Sequence, residues 1–301
     1  FGSEAAYKSP HLLIKRGQEN KRFCSSYVDF ECSFRDSIYG IHIPHHEKAL
    51  KLISCFLNSE IASYYMFLTS SNWGIEREIL NSTEVLNLPD LCFSLPEDKK
   101  EAIVACMDEI IAIKKQNLIH YNIEAIEKKI DTLFYEALKL SSNEIVLIED
   151  LINLTLDGFQ NRKESIAFRP STKEEQVIYS QYLTKTINNF LKFGSSLTAW
   201  ATVFTVSPKM PLNIIAIRFN KEQEAGFVEE NPDINIGNII KEINQYTYEQ
   251  YTESIYYRKF VKYYSGDTIY IIKPNEKRFW SRSLALNDAD EIIAEIISKK
   301  S

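Results

Sequence analysis

The chain has 301 residues, 45% of them apolar, with 17 Tyr, 17 Phe and only nine Gly and nine Pro; this excludes a linker or a disordered segment and allows one large domain or two. Its formal charge of −6 argues against a protein that coats nucleic acid through unspecific attraction, because phosphate contacts need positive potential. There is neither an apolar run of about 18 residues nor a basic, apolar leader, so no membrane partner and no secretion signal are expected, and the expected location is cytoplasmic.

Residues 10–45 alternate and turn in the manner of strands, as in Leu12-Leu13-Ile14, Ser26-Tyr27-Val28 and Ser37-Ile38-Tyr39-Gly40-Ile41. From residue 46 the period changes. Leu50, Ile53, Phe56, Leu57, Ile61, Tyr64 and Tyr65 recur at steps of three and four, which predicts one amphipathic helix ending before Thr69-Ser70-Ser71-Asn72. A short element through Ile79 follows, and Leu86-Asn87-Leu88-Pro89 reads as a strand entering a loop. Pro96-Glu97-Asp98-Lys99 opens a helix whose apolar face is Ile103, Met107, Ile110, Ile111 and Ile113. Ile123, Ile126, Ile130, Leu133 and Phe134 continue the pattern, and Ser141-Ser142-Asn143-Glu144 reads as a break and a new cap before residues 145–156. The polar stretch 158–170 ends in a proline that disfavours helix at Arg169 and is the best domain boundary. Beyond it the pattern predicts a helix over 174–193, strands over 200–206, 212–219 and 268–272, and a helix over 234–245. A last helix is expected over 288–297, with Asp288 and Asp290 at the positive end of its dipole. The expected fold class is α/β in the mixed α+β sense: an N-terminal unit over 1–95, a helical spacer over 96–160 and a C-terminal mixed α/β domain over 161–301.

Local charge departs from the average. Residues 8–22 hold Lys8, Lys15, Arg16, Lys21 and Arg22 against Glu19, net +4; residues 255–282 hold Arg258, Lys259, Lys262, Lys273, Lys277, Arg278 and Arg282 against Asp267 and Glu276, net +5. Residues 221–254 are biased the other way, with eight acids and two lysines. This distribution permits a basic groove on an otherwise acidic body.

Catalytic motifs fail one by one. Asp90 with Glu97 and Lys99 has the letters of a metal-dependent nuclease, but Pro96 and the acids fit a helix start better. His42, His45 and His46 form the one histidine cluster and lack a nearby cysteine pair at finger spacing, so a polar turn is expected there and no metal. The five cysteines, at 24, 32, 55, 92 and 106, are odd in number and widely spaced; they read as reduced thiols, with Cys24 and Cys32 suited to burial. Lys192-Phe193-Gly194 is not a phosphate loop, and no strained Gly-x-Ser-x-Gly elbow is present. Asn231-Pro232-Asp233 begins like the catalytic loop of an amino-directed DNA methyltransferase but lacks the second proline and the aromatic that stacks on a flipped base. No catalytic residue and no cofactor site is therefore expected in this chain.

The informative stretch is Leu57-Asn58-Ser59-Glu60-Ile61-Ala62-Ser63-Tyr64-Tyr65, continuing through Ser70-Ser71-Asn72-Trp73-Gly74-Ile75-Glu76-Arg77. It sets an apolar helix stripe beside a polar turn, an aromatic, a glycine and a basic side chain. Trp73 can stack or wedge, and Arg77 can donate two parallel hydrogen bonds to a phosphate or a guanine edge. The alternative is that Trp73 fills core at the helix end and Arg77 pairs with Glu76 or Glu78. The segment resembles the C-terminal region of Eco57I-like adenine-N6 DNA methyltransferases of restriction and phage-defence systems. Pro10-His11-Leu12-Leu13-Ile14-Lys15-Arg16-Gly17 is similar to the passage that opens that region. Phe34-Arg35-Asp36-Ser37-Ile38-Tyr39-Gly40-Ile41 then precedes the Leu57 and Ser71 passages in the same order. The likeness continues through Leu86-Asn87-Leu88-Pro89 and Ile130-Asp131-Thr132-Leu133-Phe134-Tyr135, which resemble the spacer after a target-recognition unit. Residues 208–213, 272–275 and 278–283 resemble companion-domain motifs of defence-system proteins.

The resemblance implies a division of labour. A catalytic domain outside this chain binds S-adenosylmethionine and holds the flipped adenine, and neither of its signatures has a matching position here. What it implies for this chain is target recognition on double-stranded DNA, as a non-catalytic part of a methyltransferase or restriction-modification protein. Lys15, Arg16, Trp73 and Arg77 are expected in or beside the recognition unit, with Arg258, Lys262, Arg278 and Arg282 as further backbone contacts. The opening Phe1-Gly2-Ser3 in place of Met fits a fragment of something longer. The alternatives are a protein-interaction or structural module of a phage-defence assembly, and an unusual nuclease.

Overall fold

The computed structural model describes residues 4–19, 21–70, 79–116, 123–204, 210–221, 228–231, 241 and 261–298. It has mixed α and β content in two compact units, Phe1–Arg162 and Lys163–Ser301.

The first unit holds a three-stranded antiparallel sheet in the order β2-β1-β3, from β1 (His11–Glu19), β2 (Arg22–Val28) and β3 (Ile38–His42). Strand alternation sends Leu12 and Ile14 of β1 and Phe23 and Tyr27 of β2 into the core. The pairing of β1 with β2 slips: Ile14 faces Ser25, yet Gln18 faces Phe23, so Lys15, Arg16 and Gly17 lie in a bulge.

The helix expected across 46–68 is two helices, α1 (Glu47–Leu57) and α2 (Glu60–Thr69). The apolar spacing runs straight through the junction, but local hydrogen bonding overrides it. Ser59 adopts an extended backbone and its hydroxyl accepts from the Ala62 N–H at 3.3 Å, starting a new helix. The Asn58 amide meanwhile accepts from the Ser25 N–H and donates to the Ser25 carbonyl, both at 2.9 Å, as a neighbouring strand would.

The strand expected at residues 86–89 is instead the end of a short helix, α3 (Ser82–Leu86), and the turn after it. The Glu84 carboxylate accepts from the Asn81 N–H at 3.1 Å, which favours a first helical turn, and Pro89 supplies no N–H for a strand ladder.

Helix α4 (Glu97–Lys115) starts after Pro96 with Glu97 and Asp98 in its first turn and ends on Lys114 and Lys115, both matched to its dipole. It is followed by α5 (Ile123–Ala137) and by α6 (Ser142–Asp150), the latter opened by a reciprocal Ser141–Glu144 capping box. A π-helical turn, Leu151–Leu156, leads into α7 (Asp157–Asn161). Ile103, Ile130, Phe134 and Leu156 share one core cluster with Leu12, Ile14 and Phe56, so the helices after residue 96 close the same core that the strands open.

In the second unit Thr172 and Glu175 form the capping box of α8 (Lys173–Leu191). The sheet runs β6-β4-β5-β8-β7, from β4 (Thr198–Phe204), β5 (Leu212–Asn220), β6 (Val228–Asn231), β7 (Val261–Ser265) and β8 (Thr268–Pro274); β6 is parallel to β4 and the other pairs are antiparallel. α8 and α9 (Arg282–Ser298) pack on one face, where Tyr179, Leu183, Ala285 and Ile292 meet Ala201, Ile215 and Ile271. Because α9 begins at Arg282, Asp288 is not in its first turn. It is buried in the interior and faces Lys273. The helix expected over 234–245 lies outside the described residues except for Lys241.

Candidate functional site

The bulge in β1 organises one end of the first unit's sheet. Freed from β2 at this point, the Arg16 main chain donates to Ser37 O at 2.9 Å and accepts from the Leu80 N–H at 3.0 Å. Leu80 is fixed a second time by the Tyr39 hydroxyl, which donates to its carbonyl at 3.0 Å. The Arg16 guanidinium lies 5.4 Å from the centroid of the Tyr39 ring and donates through Nη1 to the Asp36 carbonyl at 3.2 Å. Its Nε is buried and has no hydrogen-bond partner. Stacking and one main-chain bond therefore set the plane of this guanidinium in advance. Lys15 beside it is exposed, as is Arg35, whose carbonyl accepts from Ile38 N where β3 begins. Arg35 is a cation that charge counting by sequence window misses; it opens the turn whose Asp36 and Ser37 carbonyls accept from Arg16.

Trp73 and Arg77 lie outside the described residues. The residues that flank their stretch in sequence are anchored: Ser70 Oγ donates to Glu84 at 2.6 Å, and Leu80 is tied to Arg16 and Tyr39.

A second constellation joins passages far apart in sequence. Arg22 on β2 donates to the Asn58 carbonyl at 3.0 Å, to Glu60 at 3.0 Å and to Asp131 of α5 at 2.7 Å. Asp131 also accepts from the Glu60 N–H at 2.8 Å, and the Tyr135 hydroxyl donates to Glu60 at 2.7 Å. Burial, only partly offset by Arg22, pushes the Asp131 carboxyl up to about 6, and the Glu60 carboxylate adds to the rise. Burial, with Glu60 alongside, pushes the Tyr135 phenol well above its ordinary range. Spacing offers no signal for this cluster, since Arg22 and Asp131 are 109 residues apart.

The cluster lines an open groove of about 1520 Å³ between β2 and helices α4 and α5. Five basic and six acidic side chains line it among the described residues. Several are paired, as in Lys21 with Asp157 at 2.7 Å, Lys115 with Asp29 at 2.7 Å and Lys128 with Glu124 at 3.2 Å. A groove so balanced offers little excess potential for a phosphate backbone.

The basic window of the second unit is spent largely within the fold. Lys262 is 8% exposed at its side chain and is bound to Glu291. Lys273 is fully buried against Asp288, under the Tyr179 and Trp280 rings at 4.7 and 6.0 Å, and burial lowers its pKa. Lys277 pairs with Glu175 at 2.9 Å. Arg278 pairs with Glu276 at 2.8 Å and packs over the Phe168 and Phe279 rings at 4.6 and 4.7 Å. Arg282 is partly buried at the first position of α9, and Arg258 lies outside the described residues. A window counts charges that are close in sequence; most of these cations meet acids brought in by α8, α9 and a neighbouring turn.

The residues of the nuclease alternative point to different partners. Glu97 is bound to Lys48, Lys99 to Glu136 at 2.5 Å, and Asp90 accepts from the Phe93 N–H at 3.4 Å. No group of three or more His, Cys, Asp or Glu is placed to hold a metal among the described residues. His42 bonds to the Pro10 carbonyl at 2.8 Å, while His45 and His46 are exposed. Cys24 and Cys32, expected to be buried, are partly exposed; the buried thiols are Cys55, Cys92 and Cys106. No helix among the described residues is long and apolar enough to cross a membrane. Compared with protein-family models, curated proteins and solved structures, the chain matches none.

Proposed function

We propose that the first unit contributes sequence-selective recognition of duplex DNA to an adenine-N6 methyltransferase, whose methyl donor and target base are handled by a catalytic domain outside this chain. The reading rests on the resemblance carried, in order, by residues 10–17, 34–41, 57–59 and 71–74, with residues 86–89 and 130–135 resembling the spacer that follows. The observation that carries it furthest is the β1 bulge: a stacked, pre-oriented Arg16 follows exposed Lys15 and bonds to the turn that carries exposed Arg35, and the Leu80 N–H donates to the Arg16 carbonyl. Bulges re-aim side chains, and a guanidinium held in one plane loses less freedom when it reads a base edge. In this mechanism Lys15 and Arg35 fix phosphate register, Arg16 and Arg77 present donors to bases, and base flipping and methyl transfer are left to the catalytic domain. Binding of the chain to duplex DNA, alone and joined to the catalytic domain, tests this across several salt concentrations. Lys15→Ala should weaken binding uniformly across sequences and reduce the slope of log affinity against log salt by about one. Failure of both forms to bind duplex at low salt while folded contradicts the proposal.

For the second unit a protein-interaction role is favoured over backbone contact, because Lys262, Lys273, Lys277 and Arg278 are paired with acids within the fold and Phe193, 90% exposed, stands after α8. Such a module binds its enzyme partner in the absence of DNA. Persistence of the complex with the methyltransferase domain in DNA-free gel filtration, and its loss with Phe193→Ser, is the expected result.

A further inference from the structure

We propose that Cys32 and His11 form a thiol–imidazole pair that makes Cys32 the chain's preferred site of oxidation by peroxides. The Cys32 sulfur lies 3.4 Å from Nε2 of His11, within reach of an S–H···N hydrogen bond. His11 opens β1 and is fully buried, so its ring is fixed in place, packed edge-on with the Phe34 ring at 6.4 Å between centroids and 75° between planes. Cys32 follows β2 in an irregular stretch and is partly exposed, which gives a small reagent access to the sulfur while the imidazole stays sheltered. Nucleophile and base within hydrogen-bond distance, with the base held by packing, is the arrangement that activates a thiol. The other cysteines differ. Cys55, Cys92 and Cys106 are buried, and burial raises the pKa of each thiol. Cys24 is partly exposed, like Cys32, and serves as the comparison within the same molecule.

The chemistry balances without further components. His11 Nε2 takes the thiol proton as the sulfur attacks one oxygen of hydrogen peroxide. The S–O bond forms, the O–O bond breaks, and the departing hydroxide leaves as water after taking the proton from the imidazolium. The thiol is oxidised by two electrons to a sulfenic acid and the peroxide is reduced.

The test is site-resolved mass spectrometry of the folded chain at neutral pH, with hydrogen peroxide and a dimedone trap in one arm and iodoacetamide in the other. Cys32 should react on the order of ten-fold or more faster than Cys24 in both arms, and His11→Gln should remove most of that difference. Labelling of Cys55, Cys92 and Cys106 reports whether the variant has kept its fold; if it has not, the ratio of Cys32 to Cys24 in the unaltered chain decides alone. Equal rates at Cys32 and Cys24, or an unchanged Cys32 rate in a folded His11→Gln chain, overturn the proposal.

Discussion

Both units bury paired charge, and in the first the carboxylates outnumber their cation. Around Arg22, one guanidinium serves the Glu60 and Asp131 carboxylates, leaving the cluster one negative charge in excess. Asp131, pushed up to about 6 by burial, with Glu60 adding to it, therefore binds a proton more tightly folded than unfolded. A carboxyl with a raised folded pKa contributes stability at acid pH that is lost as pH rises, because the folded state binds the extra proton. Urea midpoints of the chain should fall between about pH 4 and pH 6, and Asp131→Asn should flatten that interval. Arg22→Met should cost about 3 to 5 kcal/mol, since it strands two carboxylates in place. In the second unit Lys273→Met should cost a similar amount by leaving Asp288 without its cation, and the further change Asp288→Asn should recover much of the loss in denaturant unfolding. Recovery no greater than additivity would mean that the pair is not coupled.

At the scale of elements, periodicity exposed the long helices and the central strands, because α4, α5, α8, β5 and β8 carry regular apolar spacing and α8 opens on a capping box. It failed where side chain to main chain bonds decide the structure. Apolar spacing through residues 57–61 hides the break between α1 and α2, which depends on the Ser59 hydroxyl and the Asn58 amide. Ser59→Ala should lower thermal stability by about 1 kcal/mol without changing the strand pairing, as expected for a lost N-cap. The short edge strands β6 and β7 escaped notice because Val-Glu-Glu-Asn and Val-Lys-Tyr-Tyr-Ser carry little apolar alternation and take their form from pairing with β4 and β8. Of the candidate site, Lys15 and Arg16 were legible as a charged pair after an apolar run. The bulge that presents them was not, since it exists only relative to β2.

At the scale of the molecule, the −6 charge and the pairing of Lys262, Lys273, Lys277 and Arg278 with acids of their own unit favour a small part of the first unit as the proposed DNA contact. A contact so small fixes specificity better than affinity, so binding should be weak alone and strengthened by a linked catalytic domain. Duplex DNA and S-adenosylmethionine given to the isolated chain should yield no transferred methyl group, because the donor and adenine signatures have no counterpart among its residues.

The most direct measurement is selection from a randomised duplex library by the chain joined to the catalytic domain, compared with the same protein carrying Arg16→Ala. The expected result is a defined preferred sequence that loses discrimination at one position, by about 1 to 3 kcal/mol, in the variant. An unchanged preference in the variant, or no preference in either protein, contradicts the assignment of base reading to the β1 bulge.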